Sequence, residues 1–375
     1  MMSEKSMKRM MRKEEKADLA LRGLYASYGY RELKMGKFEE YDLYTRNRDF
    51  IPTESIIAFT GADGRLMTLR PDITLSVVRN CRTVPGVTDR ISYSERIYRK
   101  EKDGDYREIM QMGLECLGSI DILQLREVTL LAAKSLRTIS RDYVLDISHM
   151  GIIQELMSGV PEEVKPGVLK SISQKNAHEL ERLAAEGIIP KSASRALISL
   201  IRSYGSPRRV FDVLRTLSTG AVYDSYVEEL EAVCSYLSEN RLGKNLNVDF
   251  SIVNNMTYYS GILYKGYIKG IPEGVLSGGR YDGIMKHMGK SGGAVGFAVY
   301  LDRLECPEHI TNEYDIDNVL IYDAKDASDG GLAGEADRIR AGGESLMTQQ
   351  HLPKGIRYRK LLEYRNGEVR TIEIN

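Results

Sequence analysis

Net charge, paired cysteines and long apolar runs are all missing from this chain of 375 residues. Lysine plus arginine and aspartate plus glutamate each total 53, so no excess charge draws the chain onto nucleic acid or an anionic membrane. The four cysteines, Cys81, Cys116, Cys234 and Cys306, stand far apart with no CxxC pair, and the five histidines are equally scattered. That spacing supplies neither a zinc ligand set nor a disulfide framework, and it fits a reducing cytoplasm. No run of about 18 apolar residues exists to span a bilayer, and the basic opening MMSEKSMKRMMRKEEK lacks the apolar core of a secretory signal. The expectation is a cytoplasmic chain of two or three domains, without metal or cofactor.

What the chain does have is a patterned stretch from Leu69 to Gly118. Apolar residues alternate in Arg96-Ile97-Tyr98-Arg99 and again from Ile109 to Leu117, which argues for two strands, and the charged segment 100–105 carries an Asp-Gly turn between them. The resulting hairpin presents Arg99, Gln111 and Glu115 on one face. A guanidinium takes a carboxylate bidentately and a carboxylate takes an ammonium, so such a face suits a small zwitterion. A solvated amphipathic hairpin has the same pattern, and the hairpin alone does not decide between the two.

The rest of the chain supplies context. Residues 14–28 have helical spacing and end at Gly29, whereas 47–61 lack periodicity and read as a loop. FTGADGRLMTLRPDIT reads as a hairpin turned by Ala62-Asp63-Gly64, whose second arm brings Asp72 and Thr74 to one face of a strand. A core-facing helix follows over 120–138, then a strand and helix start in DYVLDISHMGIIQELM, where a lone His149 reads as structural. From 161 to about 244 the pattern is helical without strand signals. Its arginines, Arg202, Arg208 and Arg209 among them, alternate with many glutamates, so no phosphate-binding stripe is evident there. Alternation returns in NLNVDFSIVNNMTYYSGILYKGYIKG, and AVGFAVYLDRL reads as a strand running into a helix that carries Arg303. After a linker, the order is strand, helix, strand, then a hairpin at Asn366-Gly367.

Five segments, LRPDIT, YRKEKDGDYREIMQMGLECLG, NNMTYYSGILY, SGGRYDG and AVGFAVYLDRL, follow one another in an order and spacing that resembles the class II histidyl-tRNA synthetase catalytic domain over roughly 29–304. They look like its LRPE-x-T strand, motif 2, two histidine signatures and motif 3. GYRELKMGKFEEYDLY resembles motif 1, which builds the family's dimer interface, with Gly36 where the family usually has proline. The resemblance implies an α+β fold with a class II antiparallel sheet flanked by helices. Residues 1–312 would form it, interrupted by a helical insertion over 152–244, and 316–375 would be a shortened anticodon-binding-like α/β domain. It further implies that Asp72 and Thr74 hold the α-amino group of histidine, that Arg99, Gln111 and Glu115 belong to the same histidine site, and that Tyr258, Tyr259 and Tyr281 line it, with Tyr259 and Tyr281 against the imidazole. Arg303 matches an arginine on the γ-phosphate of ATP.

Two departures bear on catalysis. Where that family's RGLDYY segment has an arginine for the reacting carboxylate and α-phosphate, this chain has Asn254, and Thr257 replaces the aspartate. Loss of one aimed charge donor commonly lowers a rate by ~100-fold to 1,000-fold. Tyr300 also stands where a glycine leaves room for adenine. A retained histidine pocket, altered activation machinery and a shortened RNA-binding module together resemble the regulatory-subunit family of ATP phosphoribosyltransferase, which are synthetase paralogues. That resemblance implies a subunit with no catalytic residue of its own, L-histidine as effector, and a short-form ATP phosphoribosyltransferase catalytic subunit as partner. It also implies a homodimer within a hetero-oligomer, with no role for membrane or nucleic acid. The alternatives are a divergent histidyl-tRNA synthetase and a synthetase-derived sensor of histidine or tRNA.

Overall fold

The computed structural model describes residues 11–48, 50–51, 53–100, 104–253, 259–304, 314–326 and 330–375. The chain divides into two compact units, Ala17–Leu304 and a second comprising Met1–Lys16 with Glu305–Asn375.

The larger unit begins in helix α1 (Lys13–Ser27), which buries Ala17, Leu21 and Tyr25 at four-residue steps and is followed by Gly29 at φ +77°. Strands β1 (Arg31–Glu32) and β2 (Phe38–Glu40), the short α2 (Tyr41–Thr45), and strands β3 (Ala58–Thr60) and β4 (Leu66–Leu69) come next. β2, β4 and β3 form a small antiparallel sheet, with Gly64 in the turn expected from Ala62-Asp63-Gly64. β3 and a 3-10 turn at Thr53–Ser55 occupy part of the stretch read as a loop.

Asp72 and Thr74 do not lie on a strand. Pro71 has no N–H for a ladder, β4 ends at Leu69, and the Asp72 carboxylate accepts from Leu75 N–H at 2.9 Å. That bond helps start helix α3 (Thr74–Asn80), so both residues sit at a helix entrance.

Strands β5 (Thr88–Lys100) and β6 (Tyr106–Gly118) form the long hairpin, paired from Thr88 opposite Gly118 to Lys100 opposite Tyr106. The pairing sets odd residues opposite odd, so Arg99, Gln111 and Glu115 share a face. The even residues Met112, Leu114 and Cys116 turn to the other side, into the core that includes Leu125, Val128 and Leu131 of helix α4 (Ile122–Ile139). A capping box between Asp121 and Gln124 starts α4.

Beyond it run β7 (Tyr143–His149), α5 (Met150–Leu156), α6 (Lys165–Ser173), α7 (Ala177–Ala185), α8 (Lys191–Arg202), β8 (Tyr204–Gly205), α9 (Pro207–Thr216) and α10 (Ala221–Glu239). Two-residue β8 interrupts the segment read as purely helical, pairing with β9 (Leu246–Asp249). His149 is structural: its Nδ1 accepts from Gly151 N–H at 3.1 Å and its Nε2 meets Glu229 at 3.1 Å. Strands β10 (Ile262–Ile268) and β11 (Leu276–Arg280), helix α11 (Asp282–His287) and β12 (Gly293–Tyr300) complete the large sheet, in the order β1-β5-β6-β12-β11-β10-β7-β9-β8. Its centre is antiparallel, whereas β1 on β5 and β7 on β9 are parallel, so the sheet is mixed. After β12 the chain enters a 3-10 helix, Leu301–Leu304, which carries Arg303 and runs to the end of the described residues there.

The smaller unit has β13 (Ile316–Tyr322), α12 (Gly330–Ala341), β14 (Leu346–Gln349), β15 (Tyr358–Arg365) and β16 (Glu368–Ile374), with sheet order β14-β13-β15-β16. Asn366 and Gly367, at φ 53° and 80°, make the hairpin turn as the sequence predicts. Among the described residues no helix is long and apolar enough to cross a membrane, and no cluster of metal-ligating side chains occurs.

Candidate functional site

The odd face of the β5–β6 hairpin opens into a cleft of about 810 Å³. Small residues help create it, because β12 and β11 line it with Gly296, Ala298, Ser277 and Gly278, where larger side chains would take up space. Gly296 is obligatory: a Cβ there would stand 1.7 Å from Glu115 Oε2. Gly113 is constrained similarly, with the Tyr93 hydroxyl 2.5 Å from the position of its absent Cβ.

Glu115 is the centre of the site. It is 2% exposed, and its carboxyl receives the hydroxyls of Thr74 at 3.0 Å and Tyr93 at 3.5 Å, with Tyr281 on its other oxygen. Burial pushes its pKa from 4.5 up to about 8 against the opposing pull of these hydroxyls, which favours the protonated acid at neutral pH. Asp72 lies at the rim, 3.7 Å from the Arg99 guanidinium, and burial raises its pKa against the opposing pull of Arg99. Arg99 is anchored through Nε on the Pro71 carbonyl at 2.8 Å. Gln111 is buried in the wall and faces the cleft.

Asp72, Thr74, Arg99, Gln111, Glu115, Tyr259, Tyr281 and Arg303 are thus brought to one cleft. Tyr258, Asn254 and Thr257 lie outside the described residues. Tyr93 and Ser277 also line the site and were not singled out from the sequence. The legible signal for Tyr93 was its place opposite Gly113, where only a glycine leaves room for a tyrosine ring. Chemically, the buried Glu115 and the part-buried Asp72 accommodate a cationic or N–H-bearing group, and Arg99 at the rim supplies an anchor for an anion.

Tyr300 and Arg303 form a further part of the cleft wall. Tyr300 bonds Ser277 through its hydroxyl at 2.7 Å, and the Arg303 guanidinium carbon lies 4.2 Å from the Tyr300 ring centre. Arg303 is further held by Glu273 at 3.1 Å and by the Gly274 carbonyl. A flat base needs about 3.5 Å on each side to enter such a stack. The observed separation leaves no slot for one.

Comparison with known proteins gives consistent relatives. The family model for histidyl-tRNA synthetase matches residues 4–304. An ATP phosphoribosyltransferase regulatory subunit from Clostridium kluyveri is 28% identical over 327 residues, covering 83% of each chain. Among solved structures, an ATP phosphoribosyltransferase regulatory subunit/histidyl-tRNA synthetase from Bacillus halodurans has a TM-score of 0.76 at 20% identity, over 94% of this chain and 93% of that one. A chain of the ATP phosphoribosyl transferase (HisG:HisZ) complex from Thermotoga maritima has a TM-score of 0.62 at 21% identity, over 77% of this chain and 97% of its own. The structural likenesses carry the fold, and the family match spans most of the sequence and all of the cleft. The chain belongs to the histidyl-tRNA synthetase family.

Proposed function

We propose that this chain is a non-catalytic regulatory subunit of ATP phosphoribosyltransferase, working in the cytoplasm with a short-form catalytic subunit, and that histidine bound in the sheet cleft is its effector. The observation that carries the reading is the Tyr300–Arg303 stack in the cleft wall, whose separation leaves no gap for a base between the two side chains. A site that keeps an amino-acid pocket and gives up its nucleotide slot suits sensing rather than adenylation. Asn254, uncharged where the synthetases carry an arginine, supports the same conclusion. The names of the curated relatives support the choice of partner.

In this reading the histidine carboxylate pairs with Arg99, its ammonium sits between Asp72, Thr74 and Gln111, and its imidazole lies between Tyr259 and Tyr281 against Glu115. Glu115 enters as the acid and the imidazole as the neutral base, so the pair shares one proton without exchange with solvent at neutral pH. A ligand biases an assembly only through its different affinities for the two states, typically ~1 to 3 kcal/mol of coupling.

The experiment measures phosphoribosyl-ATP formation by a short-form catalytic subunit from the same source, with and without this chain, across a histidine titration. A rate that depends on the chain and falls with histidine is expected, and Glu115→Ala should blunt the fall. Histidine-dependent exchange of pyrophosphate into ATP by the chain alone would instead mark a working synthetase.

A further inference from the structure

A second cleft, of about 960 Å³, lies in the helical insertion between α7, α8 and α9. Four cations line it: Lys191, Arg195, Arg202 and Arg209. None of the four is ion-paired among the described residues, and Glu181 is the one acidic group in the lining.

Sequence order hides this arrangement. The insertion interleaves arginines with acids, but folding commits several of those acids elsewhere: Glu179 and Glu186 to Arg182, Asp212 and Glu231 to Arg215, and Glu229 to His149 and Arg280. Lys191, Arg195 and Arg202 are four and seven residues apart on α8, so they share one face along about 16 Å of helix. Like charges one turn apart oppose helix formation, and α8 forms here because Leu197, Leu200 and Ile201 are buried against its neighbours. Arg209 enters from the first turn of α9. Beneath the cations the floor is apolar, with Ile198, Val210 and Val213.

We propose that this cleft binds a mononucleotide carrying two or more phosphates, with the phosphates on the α8 and α9 cations and the base and sugar on the apolar floor. In a nucleoside polyphosphate each inner phosphate carries about −1 and the terminal one about −2, so two or three phosphates match four cations set against Glu181. An arginine fork suits phosphate oxygens, and the volume is in the range of nucleotide pockets. A mononucleotide is favoured over a polynucleotide because the four cations line a single cleft with an apolar floor, in a chain without net charge. The inference is independent of the sheet cleft.

The test is calorimetric titration of the full chain at low salt with ATP, inorganic tripolyphosphate and adenosine. ATP is expected to bind saturably with one site, tripolyphosphate to compete, and adenosine to give no measurable binding. Arg195→Ala with Arg202→Ala should weaken ATP binding by about tenfold or more through loss of two charge-assisted contacts. Arg141→Ala, exposed in the turn between α4 and β7 and absent from the lining of this cleft, should leave the affinity unchanged. Absence of saturable ATP binding overturns the proposal, as does an affinity indifferent to the double substitution or abolished by Arg303→Ala. A short RNA hairpin that binds more tightly than ATP, and that the same double substitution weakens, would reassign the surface to RNA.

Discussion

Replacing Glu115 by glutamine tests how its buried carboxyl is ionised. In the folded chain burial raises the Glu115 pKa from 4.5 to about 8, so between these values the folded state keeps a proton that the unfolded state releases. Its favourable contribution is fully present below pH 4.5 and is lost as pH rises through about 8. At ~1.4 kcal/mol per pH step, the loss amounts to about 3 kcal/mol by pH 7 and about 5 kcal/mol above pH 8. Glutamine is nearly isosteric with the protonated acid, accepts from Thr74 and Tyr93 on one side and reaches Tyr281 on the other. Glu115→Gln should therefore match the parent near pH 5 and exceed it by several kcal/mol at pH 8.5. The assay is urea unfolding of both proteins from pH 5 to 8.5, read by far-ultraviolet circular dichroism. Asp72 and the other carboxyls are common to both, so the difference between the two curves isolates Glu115. Parallel curves would refute the reasoning, since they would mean that Glu115 is ionised and solvated at neutral pH.

Three further outcomes follow from the same geometry. Histidine affinity, measured by calorimetry, should be flat between about pH 6.5 and 8, where neutral imidazole meets protonated Glu115. It should fall on both sides, as the pair gains a second proton below that window or loses its only one above it. Gly296→Ala pushes a methyl group into Glu115 and should lower stability by about 1–3 kcal/mol while weakening histidine binding, checked by urea midpoints and titration. His149→Ala removes the acceptor for Gly151 N–H and should cost about 1 kcal/mol, part of which His149→Asn should restore, again by urea midpoints.

The strand pattern around the cleft was legible because side chains on a strand alternate with period 2. Naming Arg99, Gln111 and Glu115 as one face needed only the hairpin and its pairing, which the structure supplies. Asp72 and Thr74 were read as one face of a strand, with the resemblance placing them in the histidine site, and the strand ends before them. They reach the cleft from a helix entrance, because Pro71 ends the ladder and the Asp72 carboxylate caps the turn that follows. Tyr93 went unnoticed because its partner is a glycine 20 residues away, and that vacancy has meaning only once the strands are paired. The Tyr300 substitution was visible in the sequence, but its stacking on Arg303 was not.

By itself, then, the sequence determined most of the long elements and the turns at Gly64 and Asn366-Gly367, which rest on local periodicity and residue type, while the resemblance of five ordered segments to the synthetases supplied Tyr259, Tyr281 and Arg303 as cleft residues. Tertiary structure decided which charges remain uncompensated. Glu115 becomes a neutral acid only when β12 and β11 close over it, and Lys191, Arg195, Arg202 and Arg209 become a basic cleft only when neighbouring acids are engaged by other partners. The physical reason is that pKa and net field depend on burial and on distances between residues remote in the chain, and composition carries neither.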